Sequence, residues 1–515
     1  MRYGQLFHYR LQSPHQRIFW KYRRQCETDP RGLLRGWSAD AARGPANGEV
    51  NFFTAASSQP SKLPILKHMR SLLGLFLTFT CFGQSAFDAQ WTGMTHKLSH
   101  SDLYRLVWDL PKGGDLHNHH EYSVPMTFWL DGAGKRGYFV RYRKGCGDTL
   151  QWTVLRQDSL RRLEACEQRD FAPIRTLSGA QKKTWLAAMT MSPRESGKTD
   201  SKEVFFERVI PRLGDLERDP ELIANALVVA QNQLRGEHAI YLETQADPRS
   251  FPGLTEDQGA EILRKRLAQT DSDATGVSVR MQVSTLRFSD HAEEDLRDGF
   301  DFVSRNFDLW KGLNLVGRED DKGGAPGRFA PVFKEMTARY PQVRISLHAG
   351  ESSTKDSHVT ESINLGATRI GHGINAALDP SAMELLRSGK FLIEICLVSN
   401  RALGYVPDLR LHPFPSYLRQ RVPVNLNTDD RGITGSNLTD EYFLAVSLFD
   451  LSWSEVVQIG RWSLEYSFAE PELKVKLLSR YDENIRAFER KYSSADWKSA
   501  LRQVRLPIGH DLPRL

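Results

Sequence analysis

Short apolar, β-branched segments alternate with stretches of helical periodicity over most of the chain. Eight of these segments are typical of strands, at residues 113–119, 238–244, 278–286, 312–318, 343–349, 368–373, 391–397 and 422–428. Helical patterns fit between most of them, and alternating strand and helix units favour parallel strands. A count of eight therefore predicts an α/β fold, a (β/α)₈ TIM-type barrel.

One interval in this pattern is too long for a plain crossover connection. Residues 120–237 separate the first two predicted strands. Helical periodicity recurs within this interval at 154–168, 179–190, 201–213 and 221–235. We therefore predict a long helical insertion near the barrel mouth, and two or three further helices in the tail at 452–504.

The N-terminal part of the chain has the pattern of a signal peptide at residues 69–85. A basic start at Met69 precedes an apolar run at 72–82, which is too short to span a bilayer, and small residues allow cleavage before Ala86. A buried helix is the alternative. The pattern predicts export to the periplasm or the medium, with no membrane attachment after cleavage. Translation would then begin at Met69, leaving 1–68 as a non-native or disordered extension and 86–515 as the barrel domain.

The distribution of charge and the cysteine content limit the classes of binding partner and of zinc chemistry that fit this chain. Residues 1–70 hold twelve Lys and Arg against four Asp and Glu, or +8, so the remainder of a chain of net charge +6 carries about −2. A near-neutral body does not suggest a nucleic-acid partner. Cys146 and Cys166 could form a disulfide in an oxidising compartment or remain two free thiols, and Cys396 lies in an apolar strand pattern. The absence of a PCxxC pair excludes zinc chemistry of the cytidine-deaminase type.

Metal-ligand residue types lie at the ends of the first, fifth and eighth predicted strands. His117 and His119, in GGDLHNHH, are two residues apart on a strand, so both side chains point to the same side. His348, in SLHAGE, offers a third imidazole, and Asp429, in NLNTDD, offers a carboxylate. Imidazoles and a carboxylate are zinc ligands, and active sites of such barrels gather where the strands end. Taken alone, each motif could equally consist of residues with a purely structural role. Their shared position at the strand ends favours a metal site.

Two further residues, Glu351 and His372, are placed to move protons beside such a metal, and Asp430 is placed to accept a hydrogen bond from the substrate. Glu351 follows His348 by three residues, and a desolvated carboxyl there could donate a proton. His372 lies between two glycines in RIGHG, which allows a close approach, and Asp430 adjoins Asp429. Each residue also has a structural alternative: Glu351 could be an acid at the start of a helix, His372 a buried structural histidine, and Asp430 a turn residue.

In this order and spacing, GGDLHNHH, HAGE, GHG and NTDD resemble the adenosine deaminases of the amidohydrolase superfamily. LVGRED at 315–320 and PKGGDLHNH are more similar to the secreted branch, the adenosine-deaminase-related growth factors and their bacterial relatives. The resemblance implies one Zn²⁺ per chain, held by His117, His119, His348 and Asp429. It also implies Glu351 as the proton donor to N1 of the purine and His372 as the residue that activates water. Asp430 would bind the purine ring, and Gly317 would contact the base through its backbone.

The implied reaction is hydrolytic deamination of adenosine or 2′-deoxyadenosine, a small-molecule purine nucleoside. Two alternatives remain: deamination of adenine or a modified nucleoside, and a non-catalytic, growth-factor-like binding role on the same scaffold. The chain departs from the family pattern at His120 and Glu121, where Leu and Asp are usual, and at Arg431, where Pro is frequent. Glu121 is the candidate for the sugar contact that the Asp normally makes. A homodimer is an open alternative to a monomer.

Overall fold

The computed structural model describes residues 87–191, 197–198, 200–270, 276–320, 323–507 and 512–513. The predicted signal peptide at 69–85 and the extension at 1–68 lie outside these residues, so both stay predictions.

Eight parallel strands form one sheet in chain order, which confirms the predicted barrel. These strands are β1 (Gly113–Asp115), β5 (Ala239–Gln245), β6 (Ser278–Leu286), β7 (Trp310–Val316), β8 (Arg344–Ala349), β9 (Arg369–His372), β10 (Leu392–Ile395) and β11 (Val424–Leu426). They are buried almost throughout, as expected when helices cover a parallel sheet.

The barrel closes between the segments that follow β11 and β1. Asn118 and Asp429 form a parallel bridge. Asp429 N–H donates to His117 O at 2.9 Å, and His119 N–H donates to Asp429 O at 3.3 Å. The closing hydrogen bonds therefore come from the backbone of predicted metal ligands, which fixes the ends of the first and last strands together.

Helices follow most strands, and their buried faces pack on the sheet. Within the described residues, those after β5 are Glu256–Ala268, Ala292–Arg305, Ala330–Arg339, His358–Asn364, Pro380–Arg387, Leu397–Ala402, Phe414–Arg419, Arg431–Thr434, Leu438–Phe449, Trp453–Glu465, Pro471–Ser493 and Trp497–Gln503. Two helices, Asp88–Thr95 and His100–Asp109, precede β1. The three C-terminal helices, from Trp453 to Gln503, confirm the predicted helical tail. A capping box formed by Ser452 and Glu455 starts the first of these three helices. No helix in the described residues is long and apolar enough to cross a membrane.

The insertion is mostly helical, but it also contains a small antiparallel sheet that we did not predict. Its helices are Met126–Lys135, Gln157–Leu160, Ala165–Gln168, Gly179–Ala188, Ser201–Val204 and Pro220–Gly236. The sheet has the order β3 (Val154–Leu155), β2 (Phe139–Arg141), β4 (Phe171–Pro173). The helix predicted over 154–168 is therefore wrong at its start, and the rest of that range holds two separate short helices, Gln157–Leu160 and Ala165–Gln168. Strands of two or three residues are too short to show a period, and their partners lie far away in sequence.

A disulfide between Cys146 and Cys166 links the connection between β2 and β3 to the helix Ala165–Gln168, which lies between β3 and β4. The buried Arg141 guanidinium binds Glu167 and Asp170 beside it, at 3.1 and 3.0 Å. Cys396 is a buried free thiol. Beyond the sheet, Met191 N–H donates to Ile433 O at 3.0 Å and Gly197 N–H to Ala402 O at 2.9 Å. The insertion therefore contacts the short helices that follow β11 and β10.

Candidate active site

The four predicted metal ligands meet at the C-terminal end of the barrel. His117 Nε2 lies 3.1 Å from His348 Nε2 and 3.5 Å from Asp429 Oδ1. His119 Nε2 lies 3.4 Å from the same Asp429 oxygen. The donor atoms form two overlapping groups, each with all members within 4.8 Å: His117, His348, His372 and Asp429, and His119, Asp429 and Asp430. Asp429 belongs to both groups, so one small volume is surrounded by imidazole nitrogens and a carboxylate.

Two buried side chains fix the orientation of the clustered imidazoles. His117 Nδ1 lies 2.7 Å from Glu394 Oε2, and His348 Nδ1 lies 2.8 Å from Asn314 Oδ1. Each contact leaves the Nε2 atom directed at the cluster. Metal-binding histidines commonly use their second nitrogen in this way, which fixes the tautomer and the ring plane.

The charge of the cluster suits a divalent cation. Burial alone would lower the pKa of His117, but Asp429 and Glu394 raise it to about 10. The two carboxylates thus attract positive charge to this position, either as a proton or as a metal ion. Burial and the neighbouring imidazoles hold the pKa of His348 well below its usual range, so this ring is neutral and able to act as a ligand.

Glu351 and His372 face each other beside the cluster, with Glu351 Oε1 3.6 Å from His372 Nε2. Burial, Asp429 and Glu319 raise the pKa of Glu351 well above its usual range, which favours a proton on this carboxyl. Burial lowers the pKa of His372 to about 4, so this imidazole is neutral and able to accept one. Its Nδ1 atom contacts the Asn400 side chain at 3.1 Å.

The loop that carries Glu351 is held by another buried carboxylate, Glu319. Its two oxygens accept the backbone N–H groups of Gly350 at 2.8 Å and Glu351 at 3.0 Å. His358 Nδ1 lies 2.9 Å from one of these oxygens. Glu319 therefore joins the loop after β7 to the loop after β8 and fixes the backbone from which the Glu351 side chain projects.

Backbone geometry explains why these side chains converge. His372 and Asp429 have positive φ angles of 64° and 53°, uncommon for residues other than glycine and typical of functional sites. A Cβ on Gly371 would lie 2.7 Å from the His117 ring, so only glycine fits there. Asp430 is buried, and its Oδ1 has no hydrogen-bond partner among the residues that the structure describes.

The two residues predicted to contact the substrate away from the metal lie on loops at the same end of the barrel. Gly317 follows β7 with a φ of +99°, and a Cβ there would lie 2.9 Å from the Leu286 side chain. Glu121 is half-buried in the short turn at His120–Tyr122. Burial and Asp247 raise its pKa to about 7.

His120 has turned away into the insertion, where its ring contacts Ile223 O at 2.8 Å. It is a structural residue rather than a ligand. The residues that hold the site, Asn314, Glu319, Glu394 and Asn400, were missed by sequence reasoning. For Glu394 alone a signal existed, because a carboxylate in the otherwise apolar segment LIEI requires a partner.

The fold and the donor cluster define a (β/α)₈ barrel with a largely buried group of imidazoles and carboxylates at its C-terminal face that could hold a metal ion. The family model for adenosine deaminase matches residues 218–484. An adenosine deaminase from Enterococcus faecalis is 34% identical over 175 residues, which cover 33% of this chain and 50% of that protein. An adenine deaminase from a Chelativorans species is 30% identical over 245 residues, which cover 47% of this chain and 73% of that protein.

This chain belongs to the adenosine deaminase family, because the family model matches more than half of it. It spans about half the length of the adenosine deaminases that it matches. A solved amidohydrolase from Burkholderia ambifaria, with bound zinc, has a TM-score of 0.59 at 14% identity and covers 77% of this chain and 96% of its own. At that identity the likeness supports the fold alone.

Proposed function

We propose that the protein is a zinc-dependent hydrolase that converts adenosine or 2′-deoxyadenosine and water into inosine or 2′-deoxyinosine and ammonia. The observation that carries this proposal is the position of Asp429, shared by two groups of donor atoms within 4.8 Å, with Glu351 facing His372 beside them. Membership of the adenosine deaminase family supports the same reaction.

The proposed ligands are His117, His119, His348 and Asp429. Three imidazoles and one carboxylate suit Zn²⁺, and the attraction of the buried carboxylates for a cation supports the fit. A Zn²⁺ held there supplies a Lewis acid that lowers the pKa of water toward neutrality. Ligand type alone also admits Fe²⁺, Co²⁺ or Mn²⁺.

The side chains around this position have complementary tasks. Glu351 holds a proton and gives it to N1 of the purine, which makes C6 electrophilic. His372 accepts the proton of the attacking water, and Asn400 keeps the ring in place. Asp430 offers its unpaired oxygen to the purine ring, and Gly317 its backbone. The water oxygen bonds to C6, the proton taken up by His372 passes to the amino group, and the C6–N bond breaks to release ammonia. The remaining hydroxyl proton returns to Glu351, which leaves the carbonyl of the product.

The main alternative substrate is adenine or a modified nucleoside, because the matched Chelativorans relative is named an adenine deaminase. A 5′-phosphorylated substrate fits less well, since Glu121, the candidate for the sugar contact, has a pKa of about 7 and is still partly ionised at neutral pH, where its charge would repel the phosphate. The test measures ammonia release from adenosine, 2′-deoxyadenosine, adenine and AMP by metal-loaded protein. We expect turnover of the nucleosides. No release from any aminopurine would contradict the proposal.

A non-catalytic binding role is the second candidate, and the metal content separates it from an enzyme. We expect one tightly bound zinc per chain after metal-replete purification. His348→Ala should lose the metal and the activity together, because its Nε2 is part of the cluster. A metal-free but folded wild type would favour the binding role.

We also propose that the protein is exported after cleavage of the predicted signal peptide. N-terminal sequencing of the exported protein tests this, and a mature start upstream of residue 60 would contradict it. The sedimentation velocity of the same material decides between monomer and homodimer.

A further inference from the structure

Gln245, the last residue of β5, points into the barrel. It lies one layer of side chains nearer the C-terminal ends of the strands than the buried polar pair Glu243 and Gln282. Gln282 Nε2 on β6 donates to Glu243 at 2.9 Å, and Ser284 Oγ on the same strand donates to Gln245 Oε1 at 2.6 Å. Residues two apart on a strand share a face, so the second pair repeats the first one level nearer the C-terminal end. Gln245 therefore faces the barrel interior at the level where the strands end.

The Gln245 side chain has a hydrogen-bond donor with nothing to bond to. The residue is 3% exposed, and its Nε2 has no partner among the residues that the structure describes. The hydrogen bond from Ser284 fixes the amide with its oxygen toward β6, which leaves the NH₂ group directed elsewhere. A buried, unpaired amide donor is unfavourable, and such groups in native proteins call for an explanation.

Two contacts connect Gln245 to the proposed active site. It forms a parallel bridge with His119, and its N–H donates to Asn118 O at 3.0 Å. Its partner Ser284 is in register with Asn314, the residue that orients His348. Gln245 thus lies beside the proposed metal ligands, on the wall formed by β5 and β6.

The proposed reaction fixes which part of the substrate reaches this wall. The reacting end of the purine is at Glu351 and His372, on the loop after β8 and the end of β9, and the base also contacts Gly317 after β7. The substituent on N9 points away from the reacting end, toward the loops after β1 and β5. Glu121, the candidate for the sugar contact, lies in the turn after β1, and Gln245 ends β5, the neighbour of β1 in the barrel.

We propose that Gln245 is a specificity-determining residue whose amide N–H group donates to an oxygen of the sugar. The inference rests on the proposed function and deepens it, because it assigns nucleosides rather than free bases as the substrate class. A site that uses a buried donor for a substrate oxygen discriminates against an analogue that lacks the oxygen, since the donor is then left unpaired.

The test compares kcat/KM for adenosine and for adenine in the wild type and in Gln245→Met. Methionine has a similar length and fills the space but cannot donate. We expect kcat/KM for adenosine to fall about tenfold while the value for adenine changes less than about twofold. Ser284→Ala frees the amide from its fixed orientation. It should lower the ratio of kcat/KM for adenosine to kcat/KM for adenine by a smaller factor than Gln245→Met does.

Gln282→Met is the matched control, because it removes a buried amide one layer below, away from the strand ends. It should leave the adenosine to adenine ratio unchanged. If Gln245→Met fails to fold or to hold metal, Gln245→Asn, which shortens the same amide, is measured in its place and should show the same loss.

The outcomes separate the two proposals. If the wild type releases ammonia from no aminopurine, the proposed function fails. If the wild type deaminates adenosine but the ratio is unchanged by the replacement of Gln245, or if it prefers adenine, the proposed function stands and the role of Gln245 is refuted.

Discussion

The contact between Glu394 and His117 gives a prediction that the structure allows us to work out in detail. Glu394 is fully buried and accepts from His117 Nδ1 at 2.7 Å and from Ser346 Oγ at 3.1 Å. His117 contacts Oε2, whereas Arg369 Nε lies 2.6 Å from Oε1, the oxygen that Ser346 contacts at 3.1 Å. In Glu394→Gln one oxygen becomes an NH₂ group, which must then face either the imidazole N–H or the guanidinium, both of them donors.

Two effects are expected from this one change. Loss of the carboxylate that orients a metal-binding histidine typically weakens metal binding by about 10- to 100-fold, or roughly 1.4 to 2.7 kcal/mol. Breaking a buried ion pair by removing one partner costs about 3 to 5 kcal/mol of the free energy of unfolding. The variant should therefore be both less stable and a weaker zinc binder.

A matched variant separates the two effects. Glu243 is as deeply buried as Glu394 and pairs with the same guanidinium, with Arg369 Nη2 2.6 Å from its Oε1, but its other partners are Tyr241, Gln282 and Phe468 rather than His117. Glu243→Gln should lower the stability to a similar degree and leave zinc affinity near that of the wild type.

The assay is competition with a chelator of known zinc affinity, run beside urea unfolding of the metal-free proteins. If both variants bind zinc equally well, Glu394 does not act through His117 and the reasoning is wrong.

Three further predictions concern separate parts of the molecule. Glu351→Gln should keep its zinc and lose about 10²- to 10⁴-fold in kcat, because only the proton donor changes; full activity would contradict its role. The pKa of His358 is raised by Glu319 against the effect of burial, and the pKa of Glu319 is lowered by His358, also against burial. The pair therefore stabilises the protein most at pH values that lie between the ordinary pKa of a carboxyl and the ordinary pKa of an imidazole. The unfolding free energy lost in His358→Asn should be largest between about pH 4.5 and about pH 6.5 and shrink as the pH rises further; a pH-independent difference would exclude the pair. Replacing Cys146 and Cys166 by serine opens a link between positions 20 residues apart and should cost about 3 kcal/mol of unfolding free energy with little change in zinc affinity.

The barrel was predictable because each of its strands has its own local pattern and because the chain follows the order of the sheet. The proposed ligands were predictable for a related reason: His117, His348 and Asp429 each end a recognisable strand, and parallel strands bring such ends to one face. Their convergence follows from the topology, without any knowledge of distances.

The partners of the supporting residues were not predictable, even for Glu394, because they are set by packing between distant strands. Glu319 holds backbone groups 31 and 32 positions further along the chain, and Glu394 holds a histidine 277 positions away. Gln245 ends a fully buried strand, in which no alternation shows which residues face the interior. The small sheet of the insertion was missed because strands as short as Val154–Leu155 carry no periodicity.

The central claim is that one divalent ion is held by donors from three separate strand ends. Crystals of the zinc-loaded protein, measured on both sides of the zinc absorption edge, test it most directly. The account predicts a single anomalous peak about 2.0 to 2.2 Å from the three imidazoles and the carboxylate of His117, His119, His348 and Asp429. A zinc-loaded crystal with no peak between these residues, or with its zinc bound elsewhere, would contradict it.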